Sequence, residues 1–515
     1  MMNEIEKKEM PGHSTDRKKI AFIVARAGKN VSGGAEYIAL MLAEKMSPFY
    51  DIEIITSSSS SLRWENDLPP IERLFLEGRQ VIIRRFKTEK YESASPSETV
   101  RDFYGNMGPF MPGAFEFLTK NYSQYTALVC FGYLFETTYL TARFTGKLPI
   151  LCVPYLHDEP ISQNWSLALV LGAFDHLIFQ TVEETKYYNR LFGTKYNGSI
   201  LGSGIRENFI NLHSRYEKKE DPYFVYVGRL DEGKNVSQLL TFFSEFRKEY
   251  LKANPGKNVF LKVIGKTAEK RKFQIPEGVI PLGFIDEDAK FSVIRNAEAL
   301  INPSKYESLS MVVLEAWAVN TPVIVNGYCE VMGGQVERSS GGHSYYYYSD
   351  FKFVLNSYLK GEYDRNQLGM NGRNYLDRNY NWKTICDGYA AAIETACMDF
   401  NAGKSIDDLS LAESFEAPAI GTTLSEEKNN IDFLIVSKTI KNGKLFIEGY
   451  MWADRDILNK SYIRVMVGSS VEEGTLQQID IFQREGRSIS KFIFESDSNG
   501  TRSGDISLRV VTDNN

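Results

Sequence analysis

Cysteine is scarce and shows no pairing pattern. The five cysteines, Cys130, Cys152, Cys329, Cys386 and Cys397, are odd in number, and no two have the spacing of a metal clip or redox pair. This argues against a disulfide-stapled secreted scaffold, and buried, reduced thiols in a reducing compartment are expected. Long apolar runs are missing as well. No window reaches the ~18 apolar residues of a membrane span. The stretch Met1–Lys19 is polar and charged, without the apolar segment of a signal peptide. A cytoplasmic protein is expected, with peripheral contact at the inner face of the cell membrane left open. A basic excess is also lacking: the formal net charge is -6, which speaks against the phosphate-facing surface of a nucleic-acid binder. Nor does Gly-x-Gly-x-x-Gly follow the first apolar run, which disfavours a nicotinamide dehydrogenase.

What is present is ordinary globular composition, 43% hydrophobic and 24% charged, over 515 residues. That length calls for several domains of ~100–200 residues. After a polar tail, residues 1–18, a short apolar strand (19–24) leads into a loop with Gly28, Gly33 and Gly34, a helix-period stretch (35–46) and a second strand (51–55). Strand, glycine loop, helix, strand opens a doubly wound α/β unit. Further strands are predicted at 81–86, 127–131, 150–154, 176–179 and 198–201, so this unit runs over 19–205. The charged segment 213–221 reads as a linker. The pattern then restarts with strands at 223–228, 259–265, 279–283, 299–302 and 322–325 and helices at 235–250, 288–296 and 309–319, which makes a second unit over 206–400. Residues 401–430 read as a tether. From 431 to 515, alternating residues predict short strands at 433–436, 444–451, 462–467, 479–483, 491–494 and 506–511, a small β-sandwich or β-barrel. The expected architecture is two Rossmann-like α/β domains facing a cleft, plus a small all-β domain.

Two segments carry chemistry. Glu307 lies just before a predicted helix and Glu315 lies eight residues on. Eight helical residues rise ~12 Å and turn ~80° past two full turns, so both carboxylates can face one elongated ligand. The helix start offers free N–H groups to phosphate. As an isolated pair they would more commonly be a capping and a solvated acid. Arg229 and Lys234 stand on the loop leaving the 223–228 strand, where both can reach phosphate oxygens. A solvated charged turn is the plain alternative. Asp286-Glu287-Asp288 has the Asp-x-Asp spacing of metal-using transferases, but it opens a helix, where aspartate is the expected N-cap. Asp454-Arg455-Asp456 falls between two predicted strands and reads as a turn. Arg84, Arg85 and Lys87 could approach a membrane, although a strand edge explains them as well. Residues 105–113 and the turn-rich 326–342 read as loops near the cleft or as ordinary surface.

Taken together, Gly228-Arg229-Leu230, Lys234, Pro303-Ser304-x-x-Glu307, Glu315-Ala316 and Thr321-Pro322-Val323-Ile324 resemble glycosyltransferase family 4. The resemblance covers most of 19–400, is strongest over 223–326 and is absent after 400. It implies the GT-B fold, with 19–205 as the acceptor-side domain and 206–400 as the nucleotide-sugar-binding domain, and retaining, metal-independent transfer of a hexose from a UDP- or GDP-linked donor. The implied acceptor is a glycan or lipid-linked saccharide, in bacterial surface polysaccharide synthesis. No cofactor and no metal ligand are implied. It further implies that Arg229 and Lys234 clamp the diphosphate, that Glu307 meets hydroxyls of the transferred sugar and that Glu315 binds the ribose. Phe284 and Ile285 would face the base, Gly33 and Gly34 would face the diphosphate from the first domain, and His157 would lie near the sugar. Asp158 is a candidate to orient that imidazole, whereas Glu159 reads as structural. Ser308, Leu309 and Ser310 stand where many members carry Gly-Phe-Gly, and would meet the donor phosphate. Two alternatives stay open: a GT-B sugar-nucleotide epimerase, and a degenerate transferase serving as a glycan-binding scaffold. The presence of Arg229, Lys234, Glu307 and Glu315 argues against loss of donor binding.

Overall fold

The computed structural model describes residues 17–29, 31, 33–76, 79–92, 100–192, 198–206, 221–266 and 274–402, and the backbone of strands between 432 and 512. Most of the predicted tail 1–18, the linker segment 213–220, the tether 403–430 and Arg455-Asp456 lie outside the described residues.

The first unit runs β1 (Lys19–Val24), α1 (Gly34–Met46), β2 (Asp51–Ser57), β3 (Ile71–Leu76), β4 (Arg79–Phe86), α2 (Val100–Met107), α3 (Pro112–Asn121), β5 (Ala127–Phe131), α4 (Glu136–Ala142), β6 (Ile150–Val153), α5 (Trp165–Gly172), β7 (His176–Phe179), α6 (Val182–Phe192) and β8 (Gly198–Ile200). Its sheet has the order β3-β4-β2-β1-β5-β6-β7-β8. Every pairing is parallel except β3 with β4. β1, β5 and β6 read as unbroken apolar runs because helices cover both faces of a parallel sheet.

The second unit runs β9 (Tyr223–Val227), α7 (Val236–Ala253), β10 (Phe260–Ile264), β11 (Val279–Gly283), α8 (Glu287–Arg295), β12 (Leu300–Asn302), α9 (Met311–Ala318), β13 (Val323–Asn326), α10 (Glu330–Ser339), β14 (Gly342–Tyr345), α11 (Tyr348–Lys360), α12 (Arg365–Asn379) and α13 (Trp382–Asn401). Its sheet is parallel throughout, in the order β11-β10-β9-β12-β13-β14. Helix α10 occupies most of the stretch 326–342 read as a turn-rich loop, and strand β14 begins at its last residue. Helix α13 leaves this unit and packs on α1 and on β6, β7 and β8 of the first. Trp382 anchors it, donating from Nε1 to the Ile205 carbonyl at 2.7 Å.

The C-terminal segment forms β15 (Asp432–Lys441), β16 (Lys444–Asp454), β17 (Ser461–Val467), β18 (Ser470–Glu472), β19 (Gly474–Arg484), β20 (Arg487–Ser496) and β21 (Ile506–Thr512). They make two antiparallel sheets, β15-β16-β20-β19 and β18-β17-β21.

The two parallel sheets meet along α6 and α10. Arg338 pairs with Glu183, with Nη2 at 3.0 Å from Oε2, and Arg190 with Glu330 at 3.2 Å. Thr181 Oγ1 donates to the Ser308 carbonyl at 3.2 Å. The carboxyl ends of the second sheet thereby face the first domain, the place where open α/β sheets bind ligands. Arg84 and Arg85 belong to the fold. Arg84 Nε donates to the buried Glu53 at 2.7 Å, and Arg85 is buried against the Ala27 carbonyl.

Candidate active site between the two parallel sheets

The loop after β9 is built around Asp231. Its carboxylate accepts from the Lys234 backbone N–H at 2.9 Å, which folds residues 232–234 into a single tight turn. Asn235 then takes a left-handed conformation, φ 56°, and donates from Nδ2 to the Pro303 carbonyl at 3.1 Å. Asn326 Nδ2 donates to the same carbonyl at 3.0 Å. The ends of β9, β12 and β13 are thus tied to one another. A Cβ on Gly265, at the tip of β10, would meet the Gly228 carbonyl oxygen at 1.8 Å. Only glycine allows β9 and β10 to end this close together.

These ties bring Lys234 to Glu307, with Nζ at 2.7 Å from Oε1 and both side chains largely buried. Arg229, on the same loop, projects outward with its side chain 70% exposed, its Nε 3.3 Å from Asp231. The Tyr226 hydroxyl donates to the Arg229 carbonyl at 2.7 Å. Burial raises the pKa of that phenol, and it lies within the electrostatic reach of Asp231, Glu307 and Arg229.

From the first domain, Tyr155 adopts φ 57° where the chain leaves β6, a costly conformation for a bulky residue. Two residues on, the imidazole of His157 stacks on Tyr306 of the second domain, with centroids 6.2 Å apart and planes at 22°. Burial lowers its pKa, against opposing contributions from Glu159 and Glu307, while Lys234 adds to the lowering. His157 is therefore neutral near pH 7, facing the Lys234–Glu307 pair. Its Nδ1 lies 3.4 Å from Glu159 Oε1, too far and too poorly aligned for a full hydrogen bond. Glu159, read as structural from sequence, is thus the carboxylate beside the imidazole. Asp158, the sequence candidate for that place, turns to Tyr187 instead.

Glu315 lies on α9 and is gripped by Lys290 of α8, Nζ to Oε1 2.9 Å, while its Oε2 is buried without a partner. Burial opposes the Lys290 charge, but Glu315 and Glu287 outweigh it and hold its pKa above the ordinary value. Across the groove, Tyr37 of α1 lies within the electrostatic reach of Glu315, one turn after Gly33 and Gly34. Helix α9 begins at Met311, so residues 307–310 are not helical and the ~12 Å helical rise expected between the two glutamates does not apply. The side chains of 308–310 turn inward. Leu309 belongs to the core and Ser310 Oγ accepts from Asn302 Nδ2 at 2.8 Å. Only their backbone N–H groups are left for a ligand. Phe284, after β11, is 75% exposed, with Lys266 Nζ 5.0 Å from its ring centre; Ile285 is half-buried. Asp286 caps α8, accepting from the Ala289 N–H at 2.8 Å.

Sequence reasoning passed over Lys290, Tyr306 and Glu184. Glu184 is fully buried and accepts backbone N–H bonds from Leu156, at 2.6 Å, and Gln180, at 2.5 Å. It therefore grips the backbone one residue before His157. Burial pushes its carboxyl up to about 8, against the backbone donors that lower it. No local pattern distinguishes it from the surface acids around it.

Residues 209–375 match the family model "Glycosyl transferases group 1". Both cations and both acids fall within that glycosyltransferase span, whereas His157, Gly33 and Gly34 precede it. No curated protein matches the chain. Among solved structures, the sucrose-phosphate synthase of Thermosynechococcus elongatus is similar with a TM-score of 0.58 and 16% identity, over 73% of this chain and 98% of that one. An α,α-trehalose-phosphate synthase (UDP-forming) from Burkholderia vietnamiensis gives 0.54 and 12%, over 75% and 99%. WaaG, a glycosyltransferase involved in lipopolysaccharide biosynthesis, gives 0.51 and 15%, over 73% and 99%. These likenesses establish the two-domain GT-B fold. Among the described residues no helix is long and apolar enough to cross a membrane.

Proposed function

We propose that this chain is a retaining, metal-independent hexosyltransferase. The proposed donor is a UDP- or GDP-linked sugar and the acceptor a glycan or lipid-linked saccharide, in bacterial surface-glycan synthesis. The observation that carries this reading is the Lys234–Glu307 pair of the second domain facing a neutral His157 of the first. In the free protein Lys234 neutralises Glu307. On donor binding its ammonium turns to the diphosphate together with Arg229, and Glu307 is released to accept from sugar hydroxyls. The bond between the anomeric carbon and the phosphate oxygen breaks as the acceptor oxygen bonds to the same face. The acceptor proton passes to the departing phosphate, whose charge the two cations stabilise. His157, neutral, hydrogen-bonds a sugar hydroxyl. Glu315, held by Lys290, takes the ribose hydroxyls. The base lies by Phe284 and Ile285, and the diphosphate meets the backbone N–H groups of Ser308, Leu309 and Ser310 and the loop at Gly33 and Gly34. Metal independence accords with Asp286 serving as a helix cap.

The test is a panel of UDP-, GDP- and dTDP-sugars scored by thermal stabilisation. A donor at 100 times its Kd adds about 2.7 kcal/mol to folding stability, which raises the melting temperature. Stabilisation of wild type that disappears in Arg229→Ala supports the site. No stabilisation by any donor, or an equal one in the variant, overturns it. Retention is then read from the anomeric configuration of the product.

A further inference from the structure

The ends of the second sheet form a row in the order β11, β10, β9, β12, β13, β14. In the proposed donor pose the base lies after β11, the diphosphate after β9 and the transferred sugar after β12, at Glu307. Two strand ends continue the row beyond the sugar. They carry three exposed tyrosines: Tyr328 after β13, 54% exposed, and Tyr346 and Tyr347 after β14, 47% and 64% exposed. The rings form one cluster, with centroids 5.3 Å apart for Tyr328 and Tyr346 and 6.2 Å for Tyr328 and Tyr347, both edge-to-face.

This cluster is built into the backbone. Gly327 has no Cβ, and one there would lie 2.5 Å from the Tyr346 ring. The Gly327 N–H donates to the Tyr345 carbonyl at 2.7 Å. The N–H groups of Tyr346 and Tyr347 both donate to Asp350 Oδ2 at 3.1 Å, and the Tyr328 N–H donates to Asn326 Oδ1 at 3.1 Å. Three large exposed rings gathered in one cluster on a hydrogen-bonded backbone make a contiguous surface patch of the kind that marks an interaction site. Tyr328 also lines the cavity that contains His157 and Glu307, so the cluster is continuous with the site.

Resting on the transferase reading, we propose that Tyr328, Tyr346 and Tyr347 form an acceptor subsite for a chain of pyranose sugars. The apolar C–H faces of the sugars would stack on the rings, and the phenol groups would reach their hydroxyls. Two strand spacings, roughly 10 Å, span from the end of β12 to the end of β14, about the length of a disaccharide. An acceptor lying along the row would bring its terminal hydroxyl to the sugar at Glu307 and rest its inner residues on the tyrosines.

The test applies the full chain to an array of defined neutral and anionic oligosaccharides, with melting temperature and the donor panel measured in parallel. Wild type should bind pyranose oligosaccharides of two or more residues. A triple Tyr→Ala variant at 328, 346 and 347 should lose that binding roughly tenfold or more, while keeping its melting temperature and its donor stabilisation. A triple Tyr→Phe variant should keep most of it. Wild type binding no glycan, undiminished binding by the alanine variant, or a change of oligomeric state in that variant would each overturn the subsite. Glycan binding that depends on the tyrosines, with no donor stabilisation in any protein, would leave the subsite standing and remove the transferase reading instead.

Discussion

At the residue scale, the two cations of the β9 loop differ in what they do before any ligand arrives. Lys234 is part of the folded structure through Glu307, whereas the Arg229 side chain is 70% exposed and pairs with Asp231. Arg229→Ala should leave stability within about 0.5 kcal/mol of wild type, measured by denaturant unfolding, and still abolish donor-induced stabilisation. Lys234→Ala should lower kcat/KM by about 10²–10³ and also cost stability, because Glu307 loses its partner. Identical unfolding midpoints for the two variants would contradict this division. Glu184 provides a pH signature. Its folded-state carboxyl titrates near 8 against an ordinary 4.5, so between those values the folded state holds more protons than the unfolded one. Stability should therefore fall as pH rises from about 4.5 to about 8. Glu184→Gln should flatten that part of a melting-temperature profile and cost about 1–3 kcal/mol, since one backbone N–H loses its acceptor. The cations and Glu307 were legible in the sequence because each sits at a strand end in a recognisable local pattern. Glu184 was not, because what distinguishes it is burial.

At the scale of elements, α8 carries two loads. Its N-cap is Asp286 and its side chain Lys290 holds Glu315. Asp286→Ala should lower stability by about 0.5–2 kcal/mol, measured by thermal or urea unfolding. EDTA should leave wild-type turnover unchanged. A loss of activity on chelation that added Mg²⁺ or Mn²⁺ restores would return Asp286-Glu287-Asp288 to a metal role. Helix α10 shows where propensity misleads. Gly333, Gly334 and the serines after it read as turn residues, yet they lie in or beside a helix. Its tertiary packing outweighs the ~1 kcal/mol cost of each internal glycine. One of these glycines has a use: a Cβ on Gly334 would lie 2.2 Å from the Glu183 carboxylate that bridges to Arg338 across the domains.

At the scale of the whole molecule, α13 ties the second unit back to the first. Trp382, Ile385, Tyr389 and Ile393 are buried there. At ~1.5–3 kcal/mol per large side chain, their loss would consume most of a domain's ~5–15 kcal/mol. A chain ending at Tyr380 should therefore fail to give a cooperative melting transition, while one ending at Ala402 should melt cooperatively. Equal melting of the two would refute the strap. Most strands of the two α/β sheets, the glycine-tipped strand ends and the residues standing on them were determined by the sequence alone, because burial on both faces of a parallel sheet writes a local apolar pattern; the edge strands β3 and β14, which lack that pattern, and helix α10 were not. Which of those residues meet was decided only by tertiary structure. Lys234 reaches Glu307 across 73 residues because β9 pairs with β12. His157 faces them because α6 docks on α10. These are non-local contacts between separately formed elements, and no spacing along the chain encodes them.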